Sequence, residues 1–366
     1  MFKKVLAGAL ACATLFACVS CSSKTPPAPS SSGSTPPAST SSAGSGSDVF
    51  TNGPEEVLTL VHGNNLGTPN DKWANYFKEL VEERSEGKIT VNVYPNNEMG
   101  TERELTEGVQ VGTYDIQVTG LISSLSFIPA LATLNMPFMF NGMTAAQIDQ
   151  ALNQSDYHTL MQNAYGDSQF YLLGGFMQAA TFRNVTSNRA INTLEDFKGL
   201  KIRIVENAYC LKFWESIGSA PTSVTWAETY LALQQGMVDA QENPFDNIYL
   251  GNIQDVQKYL VISEHLLNVN HMIMNKARFD SLPQGYQQVV EECAAQAREK
   301  AADEMAQSIE EYHQKLLDAG MTEIVLDDAV ITQLKEQSEG VYDMIRSELG
   351  EEYYTTLADA VDKAKK

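Results

Sequence analysis

The chain is short of cysteine, of basic residues and of long apolar runs, and each shortage narrows what it can be. Only five cysteines occur in 366 residues, and three of them, Cys12, Cys18 and Cys21, precede residue 22. Cys210 and Cys293 alone remain in the body of the chain. Their spacing supports no disulfide, so two buried free thiols are expected. The body has neither a CxxC nor an HExxH spacing, and His62, His158, His265, His271 and His313 are scattered, so no metal site is assigned. No glycine-rich phosphate loop and no nucleophile motif occurs either, so no catalytic residue and no cofactor is assigned. With 25 Lys and Arg against 46 Asp and Glu, the net charge is −21, which makes nucleic acid an implausible partner.

The mostly apolar stretch from Val5 to Val19 is too short to span a bilayer. Preceded by Lys3 and Lys4, it has the build of an export signal, so residues 1–20 read as a signal peptide of an extracytoplasmic protein. Leu15-Phe16-Ala17-Cys18 has the large, small, Cys pattern of a lipoprotein cleavage site, with Cys21 as the alternative. Acyl chains on that sulfur would hold the protein on the cell membrane. Residues 21–55 follow as a tether, since Ser22 to Ser47 is almost wholly Ser, Pro, Thr, Gly and Ala and cannot bury a core. Such a tether lets a lipid-anchored body reach a membrane partner without diffusing away. Without the signal, 23 basic residues face 46 acidic ones, a net of −23. Salt screens exposed charges beyond about 8 Å, so any anion site must rest on close, enclosed cations.

In the body, strands alternate with helices. Val57 to Val61 alternates as a strand, Asp71 to Ser85 has helical apolar spacing, and Ile89 to Tyr94 is again a strand, a βαβ unit. Thr101 with Glu104 three residues on is a capping box that opens a helix, and Tyr114 to Thr119 supplies the next strand. Phe170 to Gly174, Lys201 to Val205 and Val238 to Glu242 are expected strands of the second half. The pattern means an α/β fold, and the length suggests two lobes. Pro283 to Ala319, closed by Gly320, has no internal break from Pro and reads as one helix about 55 Å long.

The run FRNVTSNRAINTLEDFKGLKIRIVENAYCLKFW, followed by WAETYLALQQGMVDAQENP, places Arg183 and Arg203 20 positions apart, with Asn243 40 positions further on. This region resembles the signature of the solute-binding proteins of TRAP transporters, and the likeness extends from about Val57 to the C-terminus. The resemblance implies a two-lobed, periplasmic-binding-protein-like (type II-like) α/β fold with a long helix spanning both lobes. Lobe I would comprise residues 56–180 plus 269–308, and lobe II residues 181–268 plus 309–366. It also implies a receptor that is not an enzyme, which closes on an organic acid by a hinge and delivers it to membrane permease subunits. In such proteins the arginine of the GLKIR-like strand, here Arg203, forks onto the ligand carboxylate; Asn243 and Arg183 match its partners and Trp226 an aromatic that packs on the ligand. A planar guanidinium matches a carboxylate and stays charged when buried, so the chemistry is sound.

Four further residues are substrate-binding candidates. His62 lies at the end of the first strand, where an α/β crevice gathers ligand contacts, and Glu102 at a helix N-terminus. Glu206 follows Arg203 by three, and His265 lies in the SEH stretch near an expected crossover. Carboxylates beside one arginine clamp would repel a second acid group and accept hydroxyls, which points to a sugar acid such as a uronate. A C4-dicarboxylate or other 2-oxo or hydroxy acid is the alternative ligand, and a sensor handing its signal to a receptor the alternative role. An exported enzyme using Glu102 and Glu206 as an acid/base pair is disfavoured, because no further catalytic motif accompanies them.

Overall fold

Local sequence signals set the elements, which the computed structural model describes at Phe50 and over residues 52–366. The expected signal peptide, the lipidation at Cys18 or Cys21, and nearly all of the tether lie outside the described residues. The described strands are β1 (Glu56–Val61), β2 (Ile89–Tyr94), β3 (Ile116–Gly120), β4 (Phe170–Met177), β5 (Phe182–Ser187), β6 (Lys201–Ile204), β7 (Ala220–Ser223), β8 (Ala240–Asn243), β9 (Tyr259–Leu267), β10 (Asn270–Asn275) and β11 (Thr322–Val325). The α-helices are α1 (Pro69–Arg84), α2 (Glu102–Gln110), α3 (Ala145–Asn153), α4 (Asp156–Asp167), α5 (Ala208–Ser216), α6 (Trp226–Gln234), α7 (Phe245–Leu250), α8 (Lys276–Ser281), α9 (Gln284–Asp318), α10 (Asp328–Leu349) and α11 (Glu351–Ala364).

The βαβ unit is present, but α1 starts two residues before the expected Asp71. Thr68 caps it by accepting from Asp71 N, and Pro69 occupies the first helical position, where its missing N–H costs nothing. Trp73, Phe77 and Val81, spaced by four, turn into the core. At α2 both bonds of the Thr101–Glu104 capping box form. The strand expected from Val238 begins only at Ala240 and runs to Asn243.

Two mixed sheets result, the first in the order β2-β1-β3-β10-β4 and the second β11-β9-β5-β8-β6-β7. The chain passes between them twice, from β4 to β5 and from β9 to β10. These crossovers run side by side: Asn268 N donates to Thr181 O at 2.8 Å, and Phe182 pairs with Leu267. The 35-residue α9 makes a third link. Its first half buries Tyr286, Val290, Ala294, Ala297 and Ala301 in the core beneath the first sheet, and Leu316 enters a separate core with Leu233, Ile248 and Leu260. The fold is therefore the expected two-lobed one with a helix spanning both halves. Gly174, at φ +65°, lets β4 meet α9: a Cβ there would lie 2.6 Å from the Ala294 carbonyl carbon.

The C-terminal helices are less simple than a division assigning 309–366 wholly to lobe II. Helix α10 packs on α5 beside the second sheet, whereas α11 lies against α3 and α4, which cover β4 of the first. Cys210 and Cys293 are free and buried, in different cores, as their spacing suggested.

Candidate functional site

Between the sheets lies a cleft of about 630 Å³, open solvent included, whose walls come from both. Its central feature follows from strand alternation on β6: Ile202 and Ile204 face the core, and Arg203 turns the other way. The Arg203 residue is 2% exposed. Its Nε donates to Val224 O at 2.8 Å, which fixes the plane of the guanidinium, and the group lies 5.8 Å from the Trp226 ring centre. Neither Nη1 nor Nη2 makes a hydrogen bond to the described residues, and the side chain lines the cleft. Burial, joined by the charge of Arg183, outweighs the pull of Glu242 and depresses its pKa to about 10, so it remains charged at neutral pH.

Arg183, on the neighbouring wall, is in a different position. Its Nε and Nη2 grip both carboxylate oxygens of Glu242, and Nη2 also donates to Glu242 O at 2.8 Å and Asn243 Oδ1 at 3.0 Å. His265 holds the same carboxylate from behind, Nε2 to Oε2 at 3.3 Å, while its Nδ1 meets Ser263 Oγ at 2.9 Å. The imidazole stacks on Phe213 at 5.7 Å and meets the edge of Trp214. Burial alone would push the Glu242 carboxyl up, but Arg183 and His265 together hold it at about 2. The Arg183 charge is thus answered within the protein, and that of Arg203 is not.

Five of the eight expected ligand-binding residues line this cleft: Arg203, Arg183, Asn243, Trp226 and Glu102. Asn243 is held by Gln241, to which its Nδ2 donates at 2.7 Å. Glu102, at the start of α2, accepts from Ser123 Oγ at 2.6 Å and Thr119 Oγ1 at 3.3 Å, so it enters from the first-sheet side already oriented. The other three are elsewhere. His62 is fully buried and turned to Asp71, with Nε2 3.4 Å from Oδ1, because the strand's alternation directs its ring toward α1. His265 lies behind Arg183 and positions Glu242. Glu206 has an exposed side chain and stands in an outer groove, 3.9 Å from Arg103 Nη1.

Sequence reading missed Glu242, which holds Arg183 from behind the cleft wall, and the asparagines Asn64, Asn135, Asn247, Asn268 and Asn270, which line the cleft. One signal was available for Glu242: it sits in AQEN, four polar or small residues that are all buried in one short strand, and a buried acid demands a partner. The asparagines come from loops, element ends and the short helix α7 and carry no local signature. A chain resembling a catalytic relay, Ser124 Oγ to His271 Nε2 at 3.0 Å and His271 Nδ1 to Tyr165 OH at 2.6 Å, is wholly buried and away from the cleft. It is a satisfied core histidine whose pKa burial depresses to about 3.

Residues 60–348 match the family of bacterial extracellular solute-binding proteins, family 7 (DctP), and the chain belongs to it. Among relatives, a solute-binding protein of Roseobacter denitrificans is 28% identical over 306 residues, 80% of this chain and 92% of that one. The 2,3-diketo-L-gulonate-binding periplasmic protein YiaO of Escherichia coli is 28% identical over 272 residues, 72% of this chain and 77% of its own length. Among solved structures, the sugar acid binding protein DctPAm of Advenella mimigardefordensis, in complex with galactonate, superposes with a TM-score of 0.80 at 22% identity. That match covers 85% of this chain and 99% of the other and shows a shared fold. The protein is thus a TRAP-type solute-binding protein, an extracytoplasmic receptor and not an enzyme.

Proposed function

We propose that the cleft captures an organic acid by its carboxylate, with Arg203 as the clamp, and that the acid is a sugar acid such as a uronate. One observation carries this: a nearly buried, fixed guanidinium whose two terminal nitrogens bond to nothing among the described residues. A buried charge without a partner is costly, and a carboxylate matches the fork of two N–H donors. Each charge-assisted hydrogen bond contributes about 1.5–3 kcal/mol, so two supply a large part of the about 8 kcal/mol that micromolar binding needs. Arg183 and Asn243 flank the clamp, and Trp226 offers an aromatic face.

The preference for a hydroxylated acid rests on Glu102. Its carboxyl faces the cleft between two hydroxyl groups, where it would accept ligand hydroxyls and repel the second acid group of a C4-dicarboxylate. The relatives named for 2,3-diketo-L-gulonate and galactonate accord with it.

The lobes, residues 56–180 plus 269–308 and 181–268 plus 309–366, close over the ligand about the paired crossovers, with α11 strapped across to the first. Ala180 stands at positive φ in the first crossover, and Glu264 at positive φ within β9, ahead of the second. The closed form then hands the acid to the permease, and an acylated Cys18, or Cys21, with the tether keeps the body at the membrane. A thermal-shift screen of sugar acids, dicarboxylates and 2-oxo acids tests the reading. Ligand at a hundred times its dissociation constant stabilises by about 2.7 kcal/mol; a screen in which only dicarboxylates or uncharged sugars shift the melting point rejects it.

A further inference from the structure

Two polar contacts join the halves outside the walls of the cleft. Asn65, in the loop between β1 and α1, donates Nδ2 to Leu250 O at 2.8 Å, 185 residues further along the chain. Arg103 on α2 stands 3.9 Å from Glu206. None of the four lines the cleft, so none would touch an acid held on Arg203. Trp226 stands between the two contacts, sharing one outer groove with Arg103 and Glu206 and another with Asn65 and Gly251.

The two contacts differ in strength. The side chains of Arg103 and Glu206 are 55% and 76% exposed, and an ion pair so placed contributes little. Asn65 is half-buried, and its bond is short. Leu250 is the last residue of α7, so its carbonyl has no partner within the helix and the Asn65 amide supplies one from across the cleft.

Helix α7 connects that bond to the ligand wall. It follows Asn243 directly, with Pro244 as its cap, and Asn247 in its first turn lines the cleft with Nδ2 3.5 Å from Asn243 Oδ1. Its other face rests on α9, where Phe245 stacks on His313 at 4.7 Å and Tyr249 tilts against Tyr312 at 5.8 Å. Just beyond its end the Trp226 ring packs on Gly251, where a Cβ would lie 2.8 Å from Cζ2. On the opposite side Asn64, next to Asn65, also lines the cleft, its Oδ1 held by Asn70 Nδ2 at 2.9 Å. The two segments that would touch the ligand are thus the two that touch each other.

We propose that the bond from Asn65 to Leu250 O is the latch of the closed form, and that Asn65 sets how long the acid is held without contacting it. The proposal rests on the hinge closure and acid capture described above and adds the residue that fixes their duration. Rotation about the crossovers separates the two segments and returns the amide and the carbonyl to water. Losing the bond therefore acts on the closed form and on escape from it, and not on the first encounter.

Stopped-flow tryptophan fluorescence with D-galacturonate tests this on the wild type, Asn65→Ala, Asn65→Asp and Arg103→Ala. Aspartate keeps the shape of asparagine and removes the donor. The Asn65 carbonyl, which accepts from Thr68 N and Oγ1, is untouched by either change. Both Asn65 variants are expected to speed dissociation about threefold to tenfold, with the association rate and the ligand-free melting temperature unchanged. Arg103→Ala should change dissociation by less than about twofold. Unaltered dissociation in both Asn65 variants, an equal effect of Arg103→Ala, or a loss confined to association or to ligand-free melting would overturn the latch. If the wild type binds succinate and not D-galacturonate, the sugar-acid reading fails, and the same rates measured with succinate decide the latch. If it binds neither, acid capture fails and the latch falls with it.

Discussion

Arg183 and Glu242 form a bidentate ion pair at the wall of the cleft, and that pair decides which of the two arginines faces the ligand as a net charge. With Arg183 neutralised, Arg203 is the one cation in the cleft wall without an internal counter-ion among the described residues. On the function proposed above, the cleft would take one carboxylate on Arg203.

Replacing Arg203 by Ala is expected to weaken ligand binding by at least about 2 kcal/mol, some thirtyfold. The same change should leave the ligand-free protein as stable as the wild type or more so, since it removes a buried charge that has no partner. Calorimetry and melting on one preparation check both halves. Unchanged affinity would remove Arg203 from its role as clamp.

Glu242→Gln should act in the opposite way. It leaves the Arg183 guanidinium buried without its counter-ion, at a cost of about 3–5 kcal/mol in unfolding free energy. Urea unfolding measures this, and a loss below about 1 kcal/mol would show that Arg183 finds another partner.

The pH dependence follows from the same pair. The Glu242 carboxyl, at about 2 in the folded protein against an ordinary 4.5, binds its proton more readily in the unfolded chain. Its contribution is complete above about pH 4.5 and is lost as pH falls toward 2. Denaturation midpoints measured down that range should fall more steeply in the wild type than in Glu242→Gln, and parallel profiles would contradict the assignment.

Glu291 on α9 carries the reverse sign. Burial pushes its carboxyl up to about 7, even though Gly174 N donates to Oε1 at 3.3 Å, and its Oε2 has no partner among the described residues. The unfolded chain ionises more readily, so the group costs stability as pH rises from about 4.5 through 7 and costs nothing below. Glu291→Gln is expected to stabilise the protein at pH 8 and to be nearly neutral at pH 4.5, as read by chemical denaturation. A stabilisation equal at both pH values would point to packing instead.

Gly174→Ala tests the contact between β4 and the long helix. A methyl group there meets the Ala294 backbone at 2.6 Å from a left-handed φ, so a loss above about 2 kcal/mol is expected, with binding unaffected in the folded fraction. An alanine variant as stable as the wild type would mean that the helix can shift away.

The features legible in the sequence are those written within a few residues. The α1 and α2 starts, the uninterrupted helix from Gln284 to Asp318 and the βαβ unit are set by caps, prolines and apolar spacing, which act over one or two turns. The positions of Arg203, Asn243 and Trp226 were readable because strand alternation and a known spacing carry them. His62 was misjudged for the ligand cleft because position at a strand end does not say to which side the ring turns.

By itself the sequence determined the alternation of strands and helices, the family, and the strand that carries Arg203, since each follows from short-range pattern. Only the tertiary structure decided that Arg183 is neutralised while Arg203 is not. That distinction depends on an antiparallel register pairing Val185 with Glu242, residues 57 positions apart, and on His265 arriving behind them from a third strand. Charges pair through space, and no local rule of chain chemistry states which of two arginines will find the acid.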